Sequence, residues 1–213
     1  MLARKTIKQF RSYYHRILDL AVDLLRGIET YQRVDVNDLL PIAKSHHQTL
    51  KRENLKPYHP TRYSTIRRIF DSLPFDFKNY SFVDLGSGKG RVLIEAAKWG
   101  FHECYGVEIC SKLHTISQEN LEKAKLSNCY LHCCDAGDFE FPAGNKVVFL
   151  FNPFAKPTLD RVSRKIIESI QPNETTWIVY VNPINEIFPQ FEFCYEIQDT
   201  DVNYCTKFWR LEV

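Results

Sequence analysis

The chain has 213 residues, 44% of them hydrophobic, which suits one α/β domain with a modest extension and requires no second catalytic domain. A formal net charge of +2 hides an uneven distribution: residues 1 to 80 hold fifteen Lys/Arg against eight Asp/Glu, and residues 81 to 213 hold thirteen against eighteen. The basic third can draw an acidic partner, or it is simply a solvated helical surface in physiological salt. Charges run through MLARKTIKQF and nowhere do eighteen apolar residues run together, so neither secretion nor a membrane span is expected. The acid-free, basic first sixteen residues leave an organelle transit peptide as an alternative. Seven cysteines without a C-x-x-C pair predict reduced, mostly buried thiols and a cytoplasmic protein.

In chain order, Ile7, Phe10, Tyr14, Ile17, Leu18, Ala21, Leu24, Leu25 and Ile28 recur at helical spacing and predict an amphipathic helix that packs on the body of the protein or on a second copy. A second helix is expected from Asp35 or Asn37 to about Arg52. Pro57 and Pro60 enforce an extended crossing, followed by a helix from about Thr61 to Ser72. From Ser81 strands and helices alternate: SFVDL, RVLIEAAKWG, CYGVEI, a helix from Ser111 to about Lys125, CYLHCC, KVVFLF, the helix LDRVSRKIIESI and TTWIVYV. This βαβα order implies a parallel sheet. FEFCYEIQ and YCTKFWRLEV follow with a short link and predict an antiparallel hairpin.

The chemistry concentrates in SFVDLGSGKGRVLIEAA, where Asp84, Gly86, Gly88 and Gly90 spell D-x-G-x-G-x-G between a strand and a helix. Such a turn lets backbone approach a nucleotide-like ligand at a helix N-terminus, where unpaired N–H groups favour an anion. Glu108, 22 residues after Gly86 at the end of the next apolar run, is placed to accept hydrogen bonds from ribose hydroxyls. A dinucleotide fingerprint would carry its third glycine where Arg91 stands, which disfavours NAD. A P-loop would follow Lys89 with Ser or Thr, where Gly90 stands, which disfavours ATP. S-adenosylmethionine remains, with an ammonium that suits Asp84 and a carboxylate that suits the turn. His132, Cys133, Cys134 and Asp135 alternate across a strand and do not converge as metal ligands.

VDLGSGKGRVLIEAA, YGVEI, CCDAGDF and FLFNPF together resemble class I, seven-stranded S-adenosylmethionine methyltransferases over roughly residues 57 to 213. PYHPTRYSTIRRIF is similar to the PYxPTP segment of a branch with mitochondrial and prokaryotic protein-lysine methyltransferases. The resemblance implies a Rossmann-like, seven-stranded, mostly parallel sheet with its last strand antiparallel. It also implies two parts: residues 1–56 as a helical extension or lid, and 57–213 as the methyltransferase domain. It places Gly86, Ser87, Gly88 and Gly90 along the methionine moiety, Glu108 on the ribose, Ile109 over the adenine and Asp135 at the adenine amino group. Asp135 otherwise reads as a turn cap. Tyr58 and Thr61 are implied as a lid or a contact to the methionine carboxylate.

Asn152, Pro153 and Phe154 follow the fourth strand and resemble the N/D-P-P-Y/F motif of amino-methylating enzymes. There the amide oxygen and a proline carbonyl accept hydrogens from the target nitrogen, and the ring stacks on a flat substrate. One proline is missing here, so a lysine amine or another amine becomes as plausible an acceptor as a planar amide or base. Proline ending a strand with Phe packed inward is the structural alternative, and Asn182-Pro183 after the fifth strand is read in that way. His46, His47 and His59 are candidates to relay a proton from an ammonium substrate. The expected function is N-methylation of a protein lysine or other amine. Alternatives are a nucleic-acid methyltransferase, favoured by the basic third, and a silent cofactor-binding scaffold.

Overall fold

The computed structural model describes residues 60–151, 154–184, 189–199 and 205–213. The two expected N-terminal helices, Tyr58 and the histidines at 46, 47 and 59 lie outside the described residues. The first described helix, α1 (Tyr63–Ser72), precedes β1 (Ser81–Leu85), α2 (Arg91–Trp99), β2 (Cys104–Val107), α3 (Ser111–Ala124), β3 (Cys129–His132), β4 (Lys146–Phe151), α4 (Lys156–Glu168), β5 (Thr175–Val181), β6 (Glu192–Gln198) and β7 (Cys205–Glu212). Among the described residues no helix is long and apolar enough to cross a membrane.

The seven strands form one sheet in the order β3-β2-β1-β4-β5-β7-β6. The first five are parallel, and β7 runs antiparallel to both β5 and β6. β1, β4 and β5 are buried on both faces, which is why SFVDL, KVVFLF and TTWIVYV are nearly continuous apolar runs rather than alternating ones. The chain leaves β1 for β2 on one side and later returns to β4 on the other. The carboxyl end of β1 is therefore the switch point where open α/β sheets bind ligands.

One face of the sheet packs under α1 and α2, where Phe70 meets Phe82, Trp99 and Phe101 with ring centroids 5.4 to 5.6 Å apart. Tilted and edge-on contacts of this kind add to the burial of each ring. The opposite face packs under α4, with Leu159, Val162 and Ile166 against Val148, Leu150 and Ile178. α1 is also tied to the far edge of the sheet: the Tyr195 hydroxyl donates to the Ser72 carbonyl at 2.7 Å, and the Thr65 hydroxyl donates to Asp199.

Two expectations need correction. β2 and β3 are shorter than CYGVEI and CYLHCC suggest, because the chain lifts off the sheet after one last bond from the Glu108 N–H to the His132 carbonyl. α4 begins three residues before LDRV, with Pro157 in its first turn, where a missing N–H costs nothing. The thiols are all free, as expected, but only Cys104 is buried. Cys110, Cys129, Cys134, Cys194 and Cys205 are half-buried, and Cys133 is exposed.

Candidate cofactor crevice

The turn after β1 departs from ordinary backbone at three points, Gly86, Gly88 and Gly90, with φ of +82°, +55° and +84°. At Gly90 a Cβ would lie 2.5 Å from the Ser117 hydroxyl of α3. Gly90 precedes α2 in left-handed backbone with no side chain capping the helix, so the helix N-terminus faces the crevice with N–H groups to give. The turn is stitched to its neighbours. The N–H groups of Gly86 and Ser87 both donate to the Val107 carbonyl, at 2.8 and 3.0 Å. The Asn120 amide of α3 donates to the Lys89 carbonyl at 2.9 Å. The Ser87 hydroxyl is buried over Gly106 of β2, so Ser87 lines the crevice through its backbone rather than its side chain.

Two carboxylates lie beneath this turn. Glu108 accepts from the Gly88 N–H at 2.9 Å and the Cys110 N–H at 2.8 Å, one on each oxygen. Burial still pushes its carboxyl upward, against those hydrogen bonds. Asp84 is only 2% exposed, and its Oδ2 has no hydrogen-bond partner. Burial, and then the charge of Glu108, raise it from 3.8 to about 8. A buried, open carboxylate beside a second one is a costly arrangement unless something cationic completes it.

Arg91, which the sequence used only to disfavour NAD, is a strut. Its guanidinium donates to the Thr61 carbonyl at 2.9 Å and lies 4.8 Å from the centre of the Tyr63 ring. It therefore fixes the end of the PYHPT segment beside the glycine turn, with Thr61 itself buried. Lys89 is 1% exposed, an unusual depth for a lysine. A charged residue inside an apolar helix start, and Ser117 and Asn120 within α3, were the available signals for these roles.

The remaining predicted positions cluster at the next turns of the same edge. Ile109 is 41% exposed beside Glu108, and Asp135 follows β3. Asp135 caps a 3-10 turn over Ala136–Asp138 by accepting the Gly137 N–H at 2.7 Å, and it pairs with Arg161 of α4 at 2.8 Å. Phe154 is half-buried against the α4-side core, the inward packing that the structural alternative expected. Asn152 and Pro153 lie outside the described residues; Phe151 ends β4 one residue past Leu150, which pairs with Leu85 at the end of β1.

Residues 82–173 match the family described as methyltransferase domain. A protein of Methanocaldococcus jannaschii, named as a proposed protein N5-glutamine methyltransferase, is 35% identical over 83 residues, 39% of this chain and 41% of that protein. The chain thus matches about two-fifths of that relative's length. In fold it is similar to yhhF of Escherichia coli, named as a proposed methyltransferase, with a TM-score of 0.61 and 16% identity over 74% of this chain and 90% of that one. An RNA methyltransferase of Salinibacter ruber in complex with S-adenosyl-L-homocysteine gives 0.55 and 18% over 72% and 94%. Residues 82–173 thus match a methyltransferase domain in sequence, and the described residues share the fold of these methyltransferases.

The cofactor of this domain class, S-adenosylmethionine, fits the residues present. The open Oδ2 of Asp84 suits an ammonium, directly or through water, and the uncapped start of α2 suits a carboxylate. Glu108 keeps lone pairs for ribose hydroxyls beyond the two N–H bonds it already accepts. When bound, the sulfonium supplies an electrophilic methyl group.

Proposed function

We propose that the protein is an S-adenosylmethionine-dependent methyltransferase acting on nitrogen, with a protein lysine or other amine as acceptor. The observation that carries this reading is placement: Asn152-Pro153-Phe154 follows β4 immediately, and β4 pairs with β1, whose glycine turn forms the crevice. The Asn152 side-chain oxygen and the Pro153 carbonyl would accept the N–H hydrogens of the acceptor and aim its lone pair along the methyl–sulfur axis. Held in this way, the acceptor nitrogen would exchange one of its N–H hydrogens, released as a proton, for the methyl group that S-adenosylmethionine would supply. An ammonium acceptor must lose its proton beforehand. A side-chain amide is a second reading, favoured by the archaeal relative named for glutamine. The free cysteines support a reducing compartment, the cytoplasm.

Incubation with methyl-labelled S-adenosylmethionine and a cell lysate, followed by hydrolysis and separation of methylated amino acids, tests the reading. Label in methyllysine supports the amine, and label in N-methylglutamine moves the acceptor to the amide. Label in RNA or DNA overturns the protein acceptor in favour of the nucleic-acid alternative. Retained cofactor binding with no label in any fraction leaves a scaffold.

A further inference from the structure

We propose that Arg161 is a positioning residue for adenine recognition, holding Asp135 so that its second oxygen reads the adenine 6-amino group; this rests on the cofactor reading above. Three features of the site converge. The Arg161 guanidinium pairs with Asp135 Oδ1 at 2.8 Å and reaches Asp138 at 3.9 Å. The same Oδ1 accepts the Gly137 N–H, so both contacts fall on one oxygen and Oδ2 is left for a donor. The guanidinium also lies against the α-carbon of Gly137, where a Cβ would meet its atoms at 2.7 to 2.8 Å, so any larger residue there would require the guanidinium to move.

Asp135 is about one-third exposed, and a carboxylate on so short a turn would otherwise be free to rotate toward solvent. Fixing Oδ1 twice removes that freedom before the ligand arrives, which lowers the ordering cost of binding. The geometry also separates two ligands that differ at one position. S-adenosylhomocysteine presents an amino group that donates to Oδ2. S-inosylhomocysteine presents a carbonyl oxygen that a carboxylate repels. Arg161 stands on α4, the helix that follows Asn152-Pro153-Phe154 in the chain.

The test is calorimetric titration of both compounds into wild type, Arg161→Gln, Arg161→Lys and Asp135→Asn. Wild type should prefer the adenosyl compound by about tenfold or more, the order of one hydrogen bond to a charged acceptor. Arg161→Gln should lose most of that preference by weakening the adenosyl compound alone, with the inosyl compound bound as before, and Arg161→Lys should restore part of it. A mutant that weakens both compounds equally, or neither, overturns the positioning role, since a merely structural strut would not discriminate at the 6-position. A wild type that binds the adenosyl compound without preference overturns the role of Asp135 while leaving the cofactor reading intact. Failure of wild type to bind either compound removes both.

Discussion

At the amino end of the sheet the Lys146 ammonium is fully buried and meets Glu174 at 3.3 Å; that carboxylate also accepts the N–H groups of Gly144 and Gln171. At the carboxyl end Asp84 is equally deep, but its Oδ2 has no partner and its neighbour in charge is another carboxylate, Glu108. Both ends therefore bury an ionisable group, and only one completes its partners within the chain. Native interiors leave few buried polar groups unpaired, and an exception calls for an explanation outside the fold. The difference separates a device for stability from a socket for a ligand, and substitutions at the two ends should have opposite signatures.

Gly88→Arg should have the largest effect. It forces a bulky side chain into left-handed backbone and into the crevice, and S-adenosylmethionine affinity should fall at least about a thousandfold, some 4 kcal/mol. Calorimetry on protein shown to be folded by its melting curve checks this, and wild-type affinity would remove the turn from the site. Asn152→Ala should leave cofactor affinity within about twofold and cut methyl transfer roughly a hundredfold, the order for one lost transition-state hydrogen-bond partner. Undiminished turnover would take Asn152 out of the chemistry. Glu174→Ala strands the Lys146 ammonium and should cost about 3 kcal/mol, lowering Tm by about 6 to 12 °C with unchanged cofactor affinity.

Short-range features of this architecture were legible in the sequence. TTWIVYV is bounded by Asn173-Glu174 and Asn182-Pro183, and it forms β5 residue for residue. The alternate glycines announced the three positive φ angles because only a forced turn explains them at that spacing. What escaped sequence reading joins residues far apart in the chain. The Arg91–Thr61 bond spans 30 positions, and the Arg161–Asp135 pair spans 26. Neither leaves a local pattern, since an arginine in a helix start or on a helix face looks the same whether it is solvated or bonded. The open state of Asp84 was equally hidden, because burial by neighbouring strands, not its own flanks, makes a carboxylate unusual.

Asp84→Asn gives the opposite signature to Glu174→Ala at the other end of the sheet. In the unfolded chain Asp84 titrates near 3.8, whereas in the folded, empty crevice burial and Glu108 raise it to about 8. Between those values the folded state holds a proton that the unfolded state does not. The contribution of this group to stability is therefore complete below pH 3.8 and is lost as pH rises toward about 8. Asparagine cannot ionise, so the empty variant should match wild type in melting temperature at low pH and exceed it at pH 8. Binding shows the other side of the same linkage. An ammonium in the crevice favours the ionised carboxylate, so wild-type affinity for S-adenosylmethionine should climb from pH 6 by up to about tenfold per unit. It should level off near pH 8, where the ligand's own amino group begins to lose its proton. In Asp84→Asn that climb should vanish and affinity at pH 8 should drop about tenfold, as for a lost hydrogen bond to a charged group. A variant that melts lower at every pH, as Glu174→Ala should, would make Asp84 a structural carboxylate and erase the distinction between the two ends.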